Sequence, residues 1–253
     1  LKAHIEYSNE PWNGIFWSAL YVREKGKDLD SNPYRAGYKY YSTRAVEIFN
    51  IWQEEFGGTE RLVRVLNTYH HDEWMSRNML AYNGNYQSVD VLASAPYFYG
   101  CWSRTTNSRC ADTDKIPRTI NEATSVKHLF DIIDNPDDPY GMAETLNWMD
   151  VQKEVADEFG VAFHTYEGGQ HLAMNWGDNT LSQERENTLL ALIRKANRTG
   201  KMGTRYRQLL EGWKQRGGEL FTLYTLPQTY HRFGTFGIKE QLNQSRFQTA
   251  IAK

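Results

Sequence analysis

Alternating strand and helix signatures predict an α/β fold in which crossover helices join the strands of a parallel sheet. Three observations carry this. Short runs rich in Val, Leu, Ile and aromatic residues recur along the chain, with stretches of helical apolar spacing between them. Gly57-Gly58, Gly160 and Gly217-Gly218 close helical stretches shortly before the next strand run. The residues suited to chemistry fall at the C-terminal ends of strand runs, which is the active face of a β/α barrel. At 253 residues the chain suits one large domain, 1–253, long enough to bury a sizeable core.

The elements follow in order. A first strand is expected over 3–8. A loop rich in Asn, Gly, Tyr and Lys comes next. Ala45, Ile48, Phe49, Trp52 and Phe56 then recur at helical spacing and predict an amphipathic helix over 42–56. Residues 62–69 predict the second strand, 72–82 a short helix with Met75, Met79 and Tyr82 on one face, and 89–97 the third strand. An insertion is expected at about 100–138, carrying a helix near 122–133. Trp148, Val151, Val155 and Phe159 mark a helix over 140–159, followed by the fourth strand at 161–166. Two helices near 182–197 and 203–216, a fifth strand at 220–226 and a last helix near 238–251 complete the pattern.

Composition bounds the partners. A net charge of −2 gives no electrostatic case for nucleic acid or an anionic membrane surface. No apolar run approaches the roughly 18 residues of a membrane span. No signal peptide is visible, and the start at Leu1, with a strand run already at Ala3, leads us to expect a processed product or a fragment. Cys101 and Cys110 are the only cysteines. A local disulfide between them is feasible and would indicate an oxidising compartment; two free thiols are the other reading. A secreted or periplasmic location is the expectation. Asn197-Arg198-Thr199 and Asn243-Gln244-Ser245 match the glycosylation pattern, a match common by chance.

Glu10 and Glu167 are the candidate catalytic pair. Each ends a strand-like run and opens a polar, aromatic turn: Ser8-Asn9-Glu10-Pro11-Trp12-Asn13 and Thr165-Tyr166-Glu167-Gly168-Gly169-Gln170-His171. Two carboxylates at strand ends, flanked by aromatic rings and side-chain amides, meet the requirement for cleaving a glycosidic bond, with retention needing carboxyls roughly 5–5.5 Å apart. Aromatics make up 14% of the chain, with 8 Trp and 16 Tyr, and flat rings with a polar edge suit sugar faces as well as ordinary cores. Trp12, Trp102, Trp176 and Tyr230 are candidate sugar platforms, and His171 is expected to line the cleft beside Glu167. His70-His71-Asp72-Glu73 reads as a solvated loop or a subsite contact, because adjacent histidines diverge and no third ligand is spaced to join them. His164, in mid-strand, reads as a hydrogen-bonded barrel histidine. Gly168-Gly169 is too short for a phosphate loop. No Gly-x-Ser-x-Gly elbow exists, and Cys101 lacks an evident His partner. The chemistry calls for no metal and no cofactor.

Asn9-Glu10-Pro11 resembles the signature after strand four of clan A glycoside hydrolases, the clan of family 5 cellulases and mannanases. Tyr166-Glu167-Gly168-Gly169 resembles their strand-seven nucleophile motif. The longer forms, Glu6 to Asn13 and Tyr166 to Leu172, are similar to little-characterised bacterial barrel proteins loosely described as cellulose-binding or cellulase-like. The resemblance implies a TIM (β/α)8-type barrel of which this chain supplies the C-terminal five β/α units, strands four to eight, with a missing N-terminal segment or a second chain completing it. It implies a retaining mechanism on a β-linked carbohydrate, with Glu167 as nucleophile and Glu10 as acid/base. Asn9 would hydrogen-bond the sugar 2-OH, and Tyr97, or Tyr99 after it, would orient the nucleophile. A non-catalytic carbohydrate-binding protein on a degenerate barrel is the alternative.

Overall fold

The Val- and Leu-rich runs form a four-stranded, wholly parallel sheet in the order β1 (Ala3–Glu6), β2 (Leu62–Asn67), β3 (Val91–Ser94) and β7 (Ala162–Thr165). The structure, a computed structural model, describes residues 1–99, 102–103, 108–109, 119–173 and 181–243. Its chain divides into two compact units. The first comprises Leu1–Ala95, Asp150–Tyr166 and Gly217–Leu220, and the second Pro96–Met149, Glu167–Arg216 and Phe221–Lys253.

The first unit is built on this sheet. The register pairs His4 with Val63, Glu6 with Val65, Val65 with Val91 and Ala93 with His164, so these side chains share one face. Val65, Val91 and Ala93 are buried at its centre, with Val63, Ala162 and Tyr166 packed against them. His4 and His164 stack with ring centroids 6.0 Å apart, although two strands lie between them. At the usual spacing of about 4.8 Å per strand, a flat sheet would hold them roughly 14 Å apart. The sheet is therefore curled, and this face is concave. Ile5, Leu62, Leu66, Leu92 and Phe163 are buried on the opposite face.

Helix α1 (Trp17–Lys25) and helix α2 (Pro33–Phe56) pack together in the first unit. Gly26 permits the close approach: a Cβ there would sit 2.1 Å from the Ala36 carbonyl oxygen. Asn32 caps α2 by accepting from the N–H groups of Tyr34 and Arg35, and Pro33 takes the first helical position, where its missing N–H costs nothing. Gly57, at φ 70°, closes the helix in the left-handed conformation. The expected loop before residue 42 is thus mostly helix. Its caps, not its apolar spacing, carry the signal. Helix α3 (Glu73–Ala81) begins at Asp72, whose side chain accepts from Met75 N–H, and a 3-10 segment (Tyr82–Ser88) follows.

In the second unit, β4 (Tyr97–Phe98) pairs in parallel with β8 (Gly169–Gln170), while β5 (Trp102–Ser103) and β6 (Ser108–Arg109) form an antiparallel ladder. Helix α4 (Val126–Asp134) packs on α6 (Gln183–Asn197), and α6 on α7 (Gly200–Gln215). Helix α5 (Met142–Phe159) has residues in both units.

Two expectations need correction. Residues 220–226 are not a regular strand, although the backbone bonds from Glu219 N–H to Phe163 O and from Thr165 N–H to Leu220 O run along β7. Residues 238–243 are not helical, and the remainder of the helix expected over 238–251 lies outside the described residues. Among the described residues no helix is long and apolar enough to cross a membrane.

Candidate active site

Glu10 follows β1 on a tightly turned segment. Its backbone is left-handed at φ 42°, as is that of Ser8 at φ 66°. Such conformations are costly for residues other than glycine, on the order of 1–3 kcal/mol, and persist where surrounding contacts fix them. Those contacts are present. Asn67, at the end of β2, donates from Nδ2 to the Ser8 carbonyl (3.3 Å). Asn67 is itself held by Tyr41 of α2, whose hydroxyl donates to Oδ1 (2.7 Å) and accepts from the Asn67 N–H (3.1 Å). The Asn13 N–H then closes the next turn onto the Glu10 carbonyl at 2.9 Å.

Both oxygens of the Glu10 carboxylate are occupied by donors. Asn13 Nδ2 donates to Oε2 (2.8 Å) and the Tyr166 hydroxyl to Oε1 (2.7 Å). Tyr166 comes from the end of β7, three strands from β1 in the sheet order, so the curl that brings His4 to His164 also carries this hydroxyl to Glu10. The next residue in the chain is Glu167. Hydrogen bonds of this kind fix the orientation of a carboxylate.

Glu6, at the end of β1 on the concave face, is a strongly perturbed acid. Desolvation by the surrounding protein, and then the charge of Glu10, push its carboxyl up to about 7, even though the residue remains open to solvent. On the same face His164 Nε2 lies 3.4 Å from Glu219 Oε2. Desolvation, reinforced by His4, holds the imidazole below its ordinary range against the opposing pull of Glu219.

The other first-unit candidates fall as follows. Asn9 is exposed, and its carbonyl accepts from Ser18 Oγ at 3.5 Å. Trp12 is only 9% exposed, its ring set edge-on to both Tyr41 and Tyr166, so it braces the Glu10 turn and turns no open face to solvent. His70 and His71 are buried, which corrects the expectation of a solvated loop. His70 Nδ1 lies 3.0 Å from Ser94 Oγ, and its carbonyl accepts from Gln152 Nε2, which is tied in turn to Ser76.

In the second unit, Glu167 is half-buried and opens a segment built for close backbone approach. A Cβ on Gly168 would meet the Phe221 ring at 2.8 Å, and Gly169 adopts φ 142°, which side chains rarely tolerate. Gln170 anchors this segment from inside. Its Nε2 donates to Thr235 O (2.5 Å) and its Oε1 accepts from Leu172 N–H (2.6 Å), while Asn197 Nδ2 donates to the same Thr235 carbonyl. Tyr97 and His171 meet at 5.5 Å between centroids, and both rings contact Phe236. Tyr99 is buried, with φ 63°, and its hydroxyl accepts from Ile120 N–H at 2.6 Å, so it supports the fold at this point. Tyr230 is 1% exposed and its hydroxyl donates to Gly237 O, again leaving no open ring face. Trp176, Cys101, Cys110 and the Trp102 side chain lie outside the described residues.

Sequence reasoning gave no role to Glu6, Asn13 or Tyr166, nor to Gln170, Tyr224 and Trp17. Gln170 stood in the quoted motif but gave no sign of being an internal strut. Tyr224 is exposed, packs on Phe236 and donates its N–H to the Gly168 carbonyl beside Glu167. Trp17 is 86% exposed on the helix that follows the Glu10 turn. A surface hollow at the end of α2, lined by Asn50, Gln53, Glu54, Gly57 and Gly58, has neither an aromatic ring nor a pair of acids, so it offers nothing comparable. Among the described residues no group of three His, Cys, Asp or Glu is placed to hold a metal ion. No family model, curated protein or solved structure matches the chain.

Proposed function

We propose that this chain is a retaining glycoside hydrolase of β/α-barrel type acting on a β-linked polysaccharide or oligosaccharide. The observation that carries the reading is the Glu10 carboxylate, fixed on both oxygens by Asn13 and by Tyr166, the residue directly before Glu167. The curled parallel sheet, with Glu10 and Glu167 following the C-terminal ends of its first and fourth strands, supports the same reading.

In this mechanism the Glu167 carboxylate attacks the anomeric carbon as the bond to the leaving oxygen breaks. Glu10 gives its proton to that oxygen. Water then attacks the glycosyl ester, Glu10 takes a proton from it, and Glu167 is released. Asn9 is assigned to the sugar 2-OH, and Tyr97, with His171 against it, to the surroundings of the nucleophile. Trp176 is retained as a proposed platform.

The test is hydrolysis of soluble glucans, mannans and xylans by the wild type, Glu10→Gln and Glu167→Gln. Each variant is expected to lose at least a thousandfold in rate with an unchanged melting curve, and the wild-type product is expected to emerge first as the β-anomer by NMR. Rates in both variants equal to wild type would sink the reading. The exposed rings of Trp17 and Tyr224 favour a second reading, a non-catalytic carbohydrate-binding protein. Binding of a glycan by the wild type with no cleavage would establish it.

A further inference from the structure

The turn that presents Glu10 is held from outside its own motif. Ser8 and Glu10 both have left-handed backbone, at φ 66° and φ 42°, a conformation that residues other than glycine keep only where their surroundings fix it. For Ser8 the fixing group is Asn67, at the end of β2, whose Nδ2 donates to the Ser8 carbonyl at 3.3 Å. Asn67 is buried, and it bonds the backbone two residues before the acid, whereas the Glu10 carboxylate takes its own donors from Asn13 and Tyr166.

The Asn67 amide can face only one way. The Tyr41 hydroxyl donates to its Oδ1 (2.7 Å) and accepts from the Asn67 backbone N–H (3.1 Å). The amide oxygen is thereby committed to α2, and the two N–H bonds of Nδ2 are turned to the Ser8 side. Tyr41 is buried and fixed in turn. Tyr7, before the turn, stacks on its ring at 6.1 Å, and Trp12, after the turn, stands edge-on to it at 5.8 Å. The chain thus enters and leaves the turn against the same buried ring.

We propose that Asn67, oriented by Tyr41, is a positioning residue for Glu10, holding the turn that keeps this carboxyl where it can protonate the leaving oxygen. This deepens the glycosidase reading and rests on it. Without the amide, Ser8 relaxes toward extended backbone, and Glu10, two residues on, moves off the Tyr166 hydroxyl. A displacement of about 1 Å at a catalytic group lowers the rate on the order of a hundredfold. The loss is confined to steps that use Glu10. A departing sugar must take a proton from Glu10, whereas dinitrophenolate is a weak base and leaves without one. Water attack on the glycosyl-enzyme needs Glu10 as base with either substrate.

The test compares cello-, manno- and xylo-oligosaccharides with the dinitrophenyl β-glycosides of the same sugars. The whole chain is assayed as wild type, Asn67→Ala, Tyr41→Phe, Glu10→Gln, and Asn67→Ala combined with Ser8→Gly. In Asn67→Ala, kcat/KM on the oligosaccharide that the wild type cleaves is expected to fall roughly a hundredfold. On the dinitrophenyl glycoside it is expected to stay within about threefold, while kcat and KM fall together because the glycosyl-enzyme accumulates. Glu10→Gln shows the same split more strongly. Ser8→Gly restores part of the oligosaccharide rate, because glycine takes left-handed backbone without penalty; a general loosening of the fold would not be repaired in this way. Tyr41→Phe keeps the ring and loses the hydroxyl, so it decides the matter where Asn67→Ala fails to fold: the same split supports the proposal, and its absence overturns it. Equal losses on both substrates in Asn67→Ala, or no loss on either, overturn the proposal and leave the glycosidase reading standing. A wild type that cleaves neither class of substrate overturns the glycosidase reading and the proposal with it.

Discussion

Tyr166 joins the two motifs. Its hydroxyl holds Glu10, its ring packs edge-on to Trp12, and its carboxyl side continues into Glu167. Tyr166→Phe keeps the ring and deletes only the donor to a carboxylate, a bond worth about 1.5–3 kcal/mol. We expect kcat/KM on a cleaved glycan to fall roughly ten- to a hundredfold and the melting temperature to fall by about 2–4 °C per kcal/mol lost; an unaltered kcat/KM would remove Tyr166 from the site. At this scale the sequence singled out Glu10 and Glu167 and gave Asn13 and Tyr166 only as their motif neighbours; that Asn13 and Tyr166 both donate to Glu10 was not legible there. It did not sort the aromatics. Trp12 and Trp17 lie five residues apart in similar surroundings, yet one ring is enclosed and the other open. The difference comes from Tyr41 and Tyr166, contributed by a distant helix and a distant strand.

Among the elements, α1 and α2 decide how the Glu10 turn is supported. Tyr41 of α2 holds Asn67, which holds Ser8. Gly26 sets how closely α1 and α2 approach, and Gly26→Ala would drive a methyl group into the Ala36 carbonyl. We expect a loss of about 1–3 kcal/mol in denaturant unfolding, against about 1 kcal/mol for Asn32→Ala, which removes a cap but leaves the packing. Equal midpoints for Gly26→Ala and the wild type would mean that the helices shift apart without penalty. The apolar spacing of 42–56 located the second half of α2. The first half went unread because its inward residues, Ala36, Gly37, Tyr38 and Tyr41, are small or aromatic and do not form an aliphatic stripe. The Asn32-Pro33 pair was the available signal. Residues 220–226 have local β propensity, and Glu219 and Leu220 bond to β7, but the segment does not take up a regular strand.

Across the whole molecule, the titrations of Glu6 and His164 oppose each other. Glu6 has its folded pKa raised from 4.5 to about 7, so the folded chain binds a proton that the unfolded chain releases. Its contribution is complete below about pH 4.5 and is lost as the pH rises through 7. His164 is lowered from 6.5, so its contribution is present above pH 6.5 and is lost as the pH falls. Glu6→Gln is therefore expected to be more stable than the wild type at pH 8 and close to it at pH 4, read from denaturant midpoints at the two values. A constant difference at both would show that Glu6 does not titrate in this window. The sequence by itself determined the alternation of strands and helices and the parallel sheet, since periodicity and glycine stops are local properties of the chain. The tertiary structure alone decided that β1 and β7 curl far enough for His4 to stack on His164 and for Tyr166 to reach Glu10, that Gln170 is an internal strut, and that Trp17 is the open ring. Those outcomes depend on packing between residues remote in sequence, and no local pattern records which remote surfaces will meet.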